Sequence, residues 1–139
     1  MEIHRGRLLD HVQLVVADIE ASKRFYRAVF EVLGVPIGGE GADHIWADEL
    51  YISTAQSPAA NGQRTGRAHL AFQADTRKKV EAFHRAGLAN GGKDNGPPGE
   101  RPYHPGYFAA FLLDLDGNNI ETVHHGPAKR SAESVTFTF

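Results

Sequence analysis

Two stretches of the chain alternate apolar and polar residues with a period of two, which is the pattern of half-buried β-strands. They run over residues 12–16 and 70–74. Their apolar faces carry Val12, Leu14 and Val16 in the first stretch and Leu70, Phe72 and Ala74 in the second. The opposite faces begin with His11 and His69 and are mixed in polarity. We expect helices to cover the apolar faces and the mixed faces to line a wetter space.

Helical periodicity follows each of these strands. Apolar positions recur every three or four residues over 19–34, and again over 80–92, and both stripes end in glycine. Asp18 precedes the first stripe as a candidate N-cap, and Asp75 or Thr76 precedes the second. The pattern therefore predicts a strand followed by a capped helix, twice.

The two halves repeat each other at a constant offset of 58 positions. The matching blocks are Asp10-His11-Val12 with Ala68-His69-Leu70, Phe25-Tyr26-Arg27-Ala28 with Phe83-His84-Arg85-Ala86, and Gly34 with Gly92. Tyr26 and His84 are thus equivalent helix positions, and we expect both at an interface or on the surface. One offset shared by three separated blocks indicates a duplicated unit.

Three short strands are predicted after each helix. They lie at about 35–38, 43–47 and 50–55 in the first half and at about 92–95, 107–114 and 119–125 in the second. The Asp-Gly-Asn-Asn sequence at 116–119 favours a tight turn between the last two strands. Each half is therefore predicted to be a βαβββ unit, and the predicted fold class is α+β.

We expect a single domain over residues 1–139 that is organised around this repeat. The first unit spans about 7–55, a linker rich in Ser, Pro, Asn and Gly spans about 56–67, and the second unit spans about 68–125. Residues 96–106 form a Pro/Gly-rich loop, which is either a pocket lid or a plain connection. The C-terminal tail, 126–139, is an added edge strand, a partner-binding arm or a disordered segment.

The amino-acid composition excludes several classes of binding partner and cofactor. The net charge of -2 and a pI near 6.4 give no basic surface for nucleic acid or an anionic membrane. No apolar stretch approaches the roughly 20 residues of a membrane span, and the N-terminus has no apolar signal region, so we expect a cytoplasmic protein. The chain has no cysteine, so any metal must be bound by His, Asp, Glu or water. It also has no Gly-rich phosphate loop, so nucleotide cofactors are not expected.

Several motifs together resemble the vicinal oxygen chelate superfamily, the group of glyoxalases, bleomycin resistance proteins and extradiol dioxygenases. They are Leu9-Asp10-His11-Val12, His69-Leu70-Ala71-Phe72, and the segment from Tyr103-His104-Pro105-Gly106-Tyr107-Phe108 to Gly117-Asn118-Asn119-Ile120-Glu121. The resemblance covers residues 7 to 125. It implies a glyoxalase-like fold, in which the two units form a curved, incomplete barrel around a central pocket.

The resemblance also implies a metal that chelates two neighbouring substrate oxygens. Its ligand pattern falls on His11, His69 and Glu121, and Glu121 would also serve as a catalytic base when it leaves the metal. Two imidazoles and a carboxylate suit one divalent iron, manganese, nickel or zinc ion and leave coordination positions open. Glyoxalase I enzymes use a second glutamate in the last strand of the first unit, where residues 50–54 contain no carboxylate. The pattern more resembles the three-ligand sites of thiol transferases and ring-cleaving dioxygenases.

These residues and the family resemblance are compatible with two alternative functions. The first is a metal-dependent enzyme acting on a small molecule with adjacent oxygens, by isomerase or lyase, thiol transferase or dioxygenase chemistry. The alternative is a non-catalytic protein that binds or sequesters a drug or other small molecule, as bleomycin-binding proteins do. The residues expected to line the pocket are Gln13, Gln73, His104, Tyr107 and Phe111. The resemblance also implies a homodimer with sites shared between subunits, and no nucleic-acid or membrane partner is expected.

Overall fold

The computed structural model describes residues 2–6, 8–129 and 134–138 of the chain. Its strands are β1 (Glu2–Arg5), β2 (Val12–Val15), β3 (Gly39–Gly41), β4 (His44–Ala47), β5 (Leu50–Ser53), β6 (His69–Gln73), β7 (Lys93–Glu100), β8 (Phe108–Leu113), β9 (Asn119–His124) and β10 (Val135–Thr138). Its helices are α1 (Ile19–Leu33), α2 (Arg77–Ala89) and a short 3-10 helix (Pro58–Ala60). Neither α-helix is long and apolar enough to cross a membrane within the described part of the chain.

The two halves build four-stranded sheets of the same topology. The strand order is β2-β5-β4-β3 in one and β6-β9-β8-β7 in the other. In each sheet the first pair is parallel and the other pairs are antiparallel. The predicted α+β class and the duplicated βαβββ order are therefore confirmed.

The chain divides into two compact units. The first contains β1, β2, β3 to β5 and β10, and the second contains both α-helices and β6 to β9. In the first, Leu14, Ile45 and Ile52 are buried on one face of the sheet. Burying side chains of this size stabilises the fold by about 1.5–3 kcal/mol each.

The core of the second unit is built from both helices and the sheet. Phe30 of α1 and Phe83 of α2 contact Phe72 of β6 edge to face, with ring centroids 5.5 and 6.3 Å away. Gly87 lets α2 approach the sheet, because a Cβ there would lie 2.1 Å from Cδ1 of Leu112. The helices therefore cover the apolar face of β6, and residues 69, 71 and 73 of the opposite face are exposed.

Helix ends follow the predicted signals. Thr76 is the N-cap of α2, since its hydroxyl accepts from the backbone N–H of Lys79 at 3.1 Å. Beyond the C-terminal end of α1, Gly34 has a φ of 72°, a left-handed conformation that glycine adopts without strain.

Two strands differ from their predicted positions. β3 lies at Gly39–Gly41 rather than at 35–38. β7 continues to Glu100 through Pro97 and Pro98, where a loop over 96–106 was expected. Proline is tolerated there because β7 is an edge strand, so one side of its backbone needs no ladder hydrogen bonds. The register shifts at Gly96, as expected of a bulged edge.

The surface or interface placement expected for Tyr26 and His84 is wrong, because both are buried. The Tyr26 hydroxyl donates to the buried carboxylate of Asp114 at 2.5 Å. Burial and this carboxylate raise the pKa of Tyr26 well above its usual value. His84 pairs with Asp94, with Nε2 2.9 Å from Oδ1. Each polar side chain is buried with a hydrogen-bonding partner, which removes most of the cost of burying it.

The tail contributes a strand. β10 pairs antiparallel with β1, with Arg5 opposite Val135 and Glu2 opposite Thr138. Of the three alternatives for the tail, its described end is thus an added strand, while residues 130–133 and 139 lie outside the described residues.

Candidate functional site

Two of the predicted ligands meet on the exposed face of the second sheet. β6 and β9 are parallel, with His69 opposite Asn119 and Ala71 opposite Glu121. This register brings Nε2 of His69 to 3.1 Å from Oε2 of Glu121. Glu121 is buried, with 4% of its surface exposed, while His69 is open to solvent. The pair is therefore a buried carboxylate next to an accessible imidazole.

A hydrogen bond at Nδ1 of His69 determines which tautomer the neutral imidazole adopts. Its Nδ1 lies 2.9 Å from the backbone carbonyl oxygen of Asn119, which can only accept. Nδ1 therefore carries the proton, and in the neutral ring Nε2 presents a lone pair to Glu121. Two acceptors 3.1 Å apart repel each other unless Nε2 is protonated or a cation lies between them. Two ligands at about 2.1 Å from one ion, at right angles to each other, are about 3 Å apart, so this spacing fits a shared metal ion.

Tyr107 holds the other oxygen of Glu121. Its hydroxyl donates to Oε1, so the two carboxylate oxygens have different partners. Burial, followed by this hydrogen bond, raises the pKa of Tyr107 to about 12. Tyr107 therefore stays protonated at neutral pH and acts as a donor to the carboxylate.

The rings around Tyr107 come from the loop and from the end of β9. Tyr103 and His104 contact Tyr107 edge to face, with centroids at 4.9 and 5.2 Å. His104 also stacks on His125, and Nε2 of His104 lies 2.9 Å from Nδ1 of His125. His104 and Tyr107 are close together in the sequence, whereas the contact between His104 and His125 was not predicted, because it depends on how the loop folds over the strand end.

Phe111 and Gln73 lie on the same sheet face as His69. The Phe111 ring stacks against the His69 imidazole at 6.2 Å, with 23° between the planes. The guanidinium of Arg101 lies over Phe111 at 5.4 Å. Gln73 is exposed at the far end of β6. The second unit thus brings His69, Glu121, Tyr107 and Phe111 together.

The first unit carries His11 and Gln13. Nδ1 of His11 lies 2.7 Å from Oδ1 of Asp10, and the imidazole is largely exposed. The Gln13 amide donates to the hydroxyls of Ser53 at 2.8 Å and Ser57 at 3.1 Å, so it is held within the first unit. His11 also lines a cavity of about 280 Å³ in that unit.

The predicted ligands share one further property that fits a metal. Each has an outer partner that orients it: Asp10 for His11, the carbonyl of Asn119 for His69, and Tyr107 for Glu121. Both histidines thereby keep Nε2 available. Within the ranges that the structure describes, no three His, Cys, Asp or Glu side chains form a group that could hold a metal ion. The second unit thus supplies two of the three predicted ligands, and His11 belongs to the first.

The chain is similar to a known family and to proteins and solved structures that are consistent with the observed fold. Residues 8–122 match the family model of the Glyoxalase/Bleomycin resistance protein/Dioxygenase superfamily. A crystal structure of a glyoxalase/bleomycin resistance protein from Albidiferax ferrireducens T118 is 34% identical, with a TM-score of 0.72, over 84% of this chain and 98% of that chain. The protein YqjT of Bacillus subtilis (strain 168) is 29% identical over 128 residues, which is 83% of this chain and 97% of that protein.

A more distant structure shares the fold alone. The lactoylglutathione lyase from Agrobacterium tumefaciens is 19% identical, with a TM-score of 0.59, over 83% of this chain and 91% of that chain.

Proposed function

Because this chain belongs to the glyoxalase/bleomycin resistance protein/dioxygenase superfamily, we propose that it is a metal-dependent enzyme acting on a small molecule with adjacent oxygens. The metal ligands are His11, His69 and Glu121. The metal is a divalent transition ion such as iron, manganese, nickel or zinc, which suit imidazole and carboxylate donors.

The observation that carries this proposal is the contact between His69 and Glu121. In the neutral ring the proton lies on Nδ1, so Nε2 of His69 presents a lone pair to a buried carboxylate oxygen at 3.1 Å. A cation between the two atoms removes the repulsion and offsets the cost of burying the carboxylate. The same tautomer is favoured at His11, where the Asp10 carboxylate accepts at Nδ1.

The bound ion and the residues around it would have different roles in substrate binding and proton transfer. A bound divalent ion supplies Lewis acidity toward two neighbouring substrate oxygens. Tyr107 fixes the Glu121 carboxylate through Oε1 and leaves Oε2 as the oxygen that would bind the ion, so Glu121 would take a proton from substrate only when Oε2 has left the ion. Phe111 packs against His69 and keeps its ring in place.

We further propose that two copies of the chain share their sites, with His11 of one subunit serving His69 and Glu121 of the other. The support is that the second unit by itself supplies a fitted pair of ligands, whereas a facial set of this type needs three. Substrate is then bound by a homodimer.

Elemental analysis tests the metal. Protein purified without a metal-affinity tag or chelator is expected to carry about one transition ion per chain, and His69→Ala and Glu121→Gln are expected to lose it. His124→Ala is the matched control, because His124 lies on the opposite face of β9 and contacts the carbonyl of Ala74. Iron would favour dioxygenation, nickel or zinc isomerisation, and manganese thiol transfer. No metal after reconstitution would overturn the proposal.

The second candidate function is binding without chemistry, and one observation favours it. The cavity that His11 lines also includes Trp46 and Tyr51, whose aromatic rings suit an apolar ligand. If the protein only binds or sequesters such a molecule, His69→Ala leaves ligand affinity unchanged. If it is the proposed enzyme, the same substitution removes both metal and activity.

A further inference from the structure

Hydrogen-bond register shows which residue of the first unit takes the place of Glu121. In each sheet one row of side chains runs across four strands. The row is Gln13, Tyr51, Trp46 and Gly39 in the first unit and Ala71, Glu121, Phe111 and Gly96 in the second. Gln13 lies two residues after His11, and Ala71 lies two residues after His69. Tyr51 is therefore the structural equivalent of Glu121.

Because Tyr51 stands where the second unit has Glu121, the first unit has a different functional group at this position. A phenol offers one neutral O–H donor where the second unit has a carboxylate. The Tyr51 hydroxyl makes no hydrogen bond with another residue in the described part of the chain, whereas Glu121 has a partner at each oxygen. The first unit thus has, next to His11, the Tyr51 hydroxyl as a hydrogen-bond donor for a ligand rather than a further metal ligand.

Tyr51 lines the cavity of the first unit. The residues that line it are His11, Trp46, Asp48, Leu50 and Tyr51. Three of these are aromatic rings. The volume of about 280 Å³ suits one substituted ring rather than a large ligand. Asp48 has a φ of 45° because it is the first of the two residues that turn the chain between β4 and β5.

The aromatic walls of this cavity are held in place by their neighbours. A Cβ on Gly38 would lie 2.2 Å from Cζ3 of Trp46, and a Cβ on Gly39 would lie 2.6 Å from its Nε1. The glycine backbone therefore lies directly against the indole. On the other side of the row, His44 stacks on Tyr51 with centroids 5.3 Å apart and 9° between the rings. Rings that are fixed before binding lose little entropy when a ligand arrives.

We propose that this cavity binds a flat aromatic ring that stacks on Trp46, with Tyr51 donating a hydrogen bond to a polar substituent of the ring's compound. The inference deepens the proposed function and rests on it for the chemistry: the substrate is an aromatic compound with adjacent oxygens. Binding of the ring itself needs only residues of the first unit and no metal.

Trp46 is the single tryptophan of the chain, so its fluorescence reports directly on the cavity. Chelator-treated protein is titrated with mandelate and with lactate, which share the same 2-hydroxy acid group and differ in the ring. Mandelate is expected to change Trp46 emission saturably, and lactate is not. Equal responses to the two compounds, or none to mandelate, would overturn the inference.

Variants separate the hydrogen bond from the stacking. Tyr51→Phe keeps the ring and removes the donor, so mandelate affinity is expected to fall about five- to tenfold. Trp46→Leu is expected to abolish binding when it is measured by calorimetry. Tyr103→Phe, on the exposed loop, is the matched control. An unchanged affinity in Tyr51→Phe would refute the role of Tyr51 even if Trp46→Leu fails to fold.

Two further variants distinguish this inference from the proposed function. His69→Ala and Glu121→Gln are expected to lose metal, and after chelator treatment they are expected to bind mandelate as chelator-treated wild type does, since both residues lie in the second unit. Metal binding without a mandelate response would refute the aromatic subsite alone. A mandelate response in a protein that never takes up metal would support the subsite and refute the enzyme.

Discussion

Tyr107 and His69 hold opposite oxygens of the same carboxylate. The Tyr107 hydroxyl donates to Oε1 of Glu121, and Nε2 of His69 lies 3.1 Å from Oε2. The carboxylate is buried, so neither oxygen is solvated by bulk water. Its orientation therefore depends on Tyr107, which itself comes from the loop that precedes β8.

Removing the Tyr107 hydroxyl tests this dependence. Tyr107→Phe keeps the ring contacts and leaves Oε1 without its donor, so Glu121 is less well oriented toward Oε2. Metal affinity is expected to fall about 10- to 100-fold, the usual effect of removing an outer partner of a metal ligand. Competition with a chromophoric chelator measures it. Tyr103→Phe is the control, and equal affinities in the two variants would show that Tyr107 does not position Glu121.

Sharing of sites between subunits predicts complementation. His11→Ala and Glu121→Ala each disable every site of their own homodimer. In a heterodimer of the two variants, one site combines the intact His11 of one chain with the intact His69 and Glu121 of the other. A heterodimer isolated through two different tags is expected to bind about half an ion per chain.

The contrary results for complementation are specific. A heterodimer that binds no more metal than either variant alone would contradict sharing and leave the ligand set itself intact. A wild-type protein that sediments as a monomer while carrying metal would contradict it as well.

Tyr26 predicts a stability effect away from the site. Tyr26→Phe removes the donor to the buried carboxylate of Asp114, which keeps its hydrogen bonds from Asn118 and from the backbone of Asp116. Unfolding free energy is expected to fall by about 1–3 kcal/mol. Urea unfolding measures it, with Tyr103→Phe as the exposed control. A loss below about 0.5 kcal/mol, typical of surface sites, would show that the bond contributes little.

Asp94 predicts a pH dependence of stability. The backbone N–H of Gly96, and then His84, lower the pKa of Asp94 below its usual 3.8. The folded state thus favours the charged carboxylate, so the stabilisation is complete above the unfolded pKa and is lost as pH falls through the folded one. Asp94→Asn is expected to lower Tm at pH 7 and to approach the wild type below pH 3.8.

The control for Asp94 is Glu31→Gln, which neutralises an exposed carboxylate on α1. Thermal melts of all three proteins are recorded between neutral and strongly acidic pH. A difference between wild type and Asp94→Asn that stays constant over this range would contradict linkage to the carboxylate.

Secondary structure was predictable wherever local pattern and local chemistry agreed. The helices after β2 and β6 follow from apolar spacing, and their ends follow from Thr76 and Gly34. The continuation of β7 through Pro97 and Pro98 was not predictable in the same way. It depends on β7 being at the edge of its sheet, which is a property of strand order rather than of the segment.

The duplicated βαβββ order could be predicted from the amino-acid sequence, because the period of apolar positions and the constant offset between equivalent residues can be read along the chain without knowing which strands pair. The family resemblance pointed to His11, His69 and Glu121 as candidate metal ligands. Which residues meet became clear only from the folded chain. The register of β5 and β9 made Tyr51 the counterpart of Glu121 and placed Glu121 beside His69, and the loop before β8 brought Tyr107 to the same carboxylate. These contacts join strands and loops far apart in the chain, and they depend on hydrogen-bond register, since a shift of one residue would turn every side chain to the opposite face.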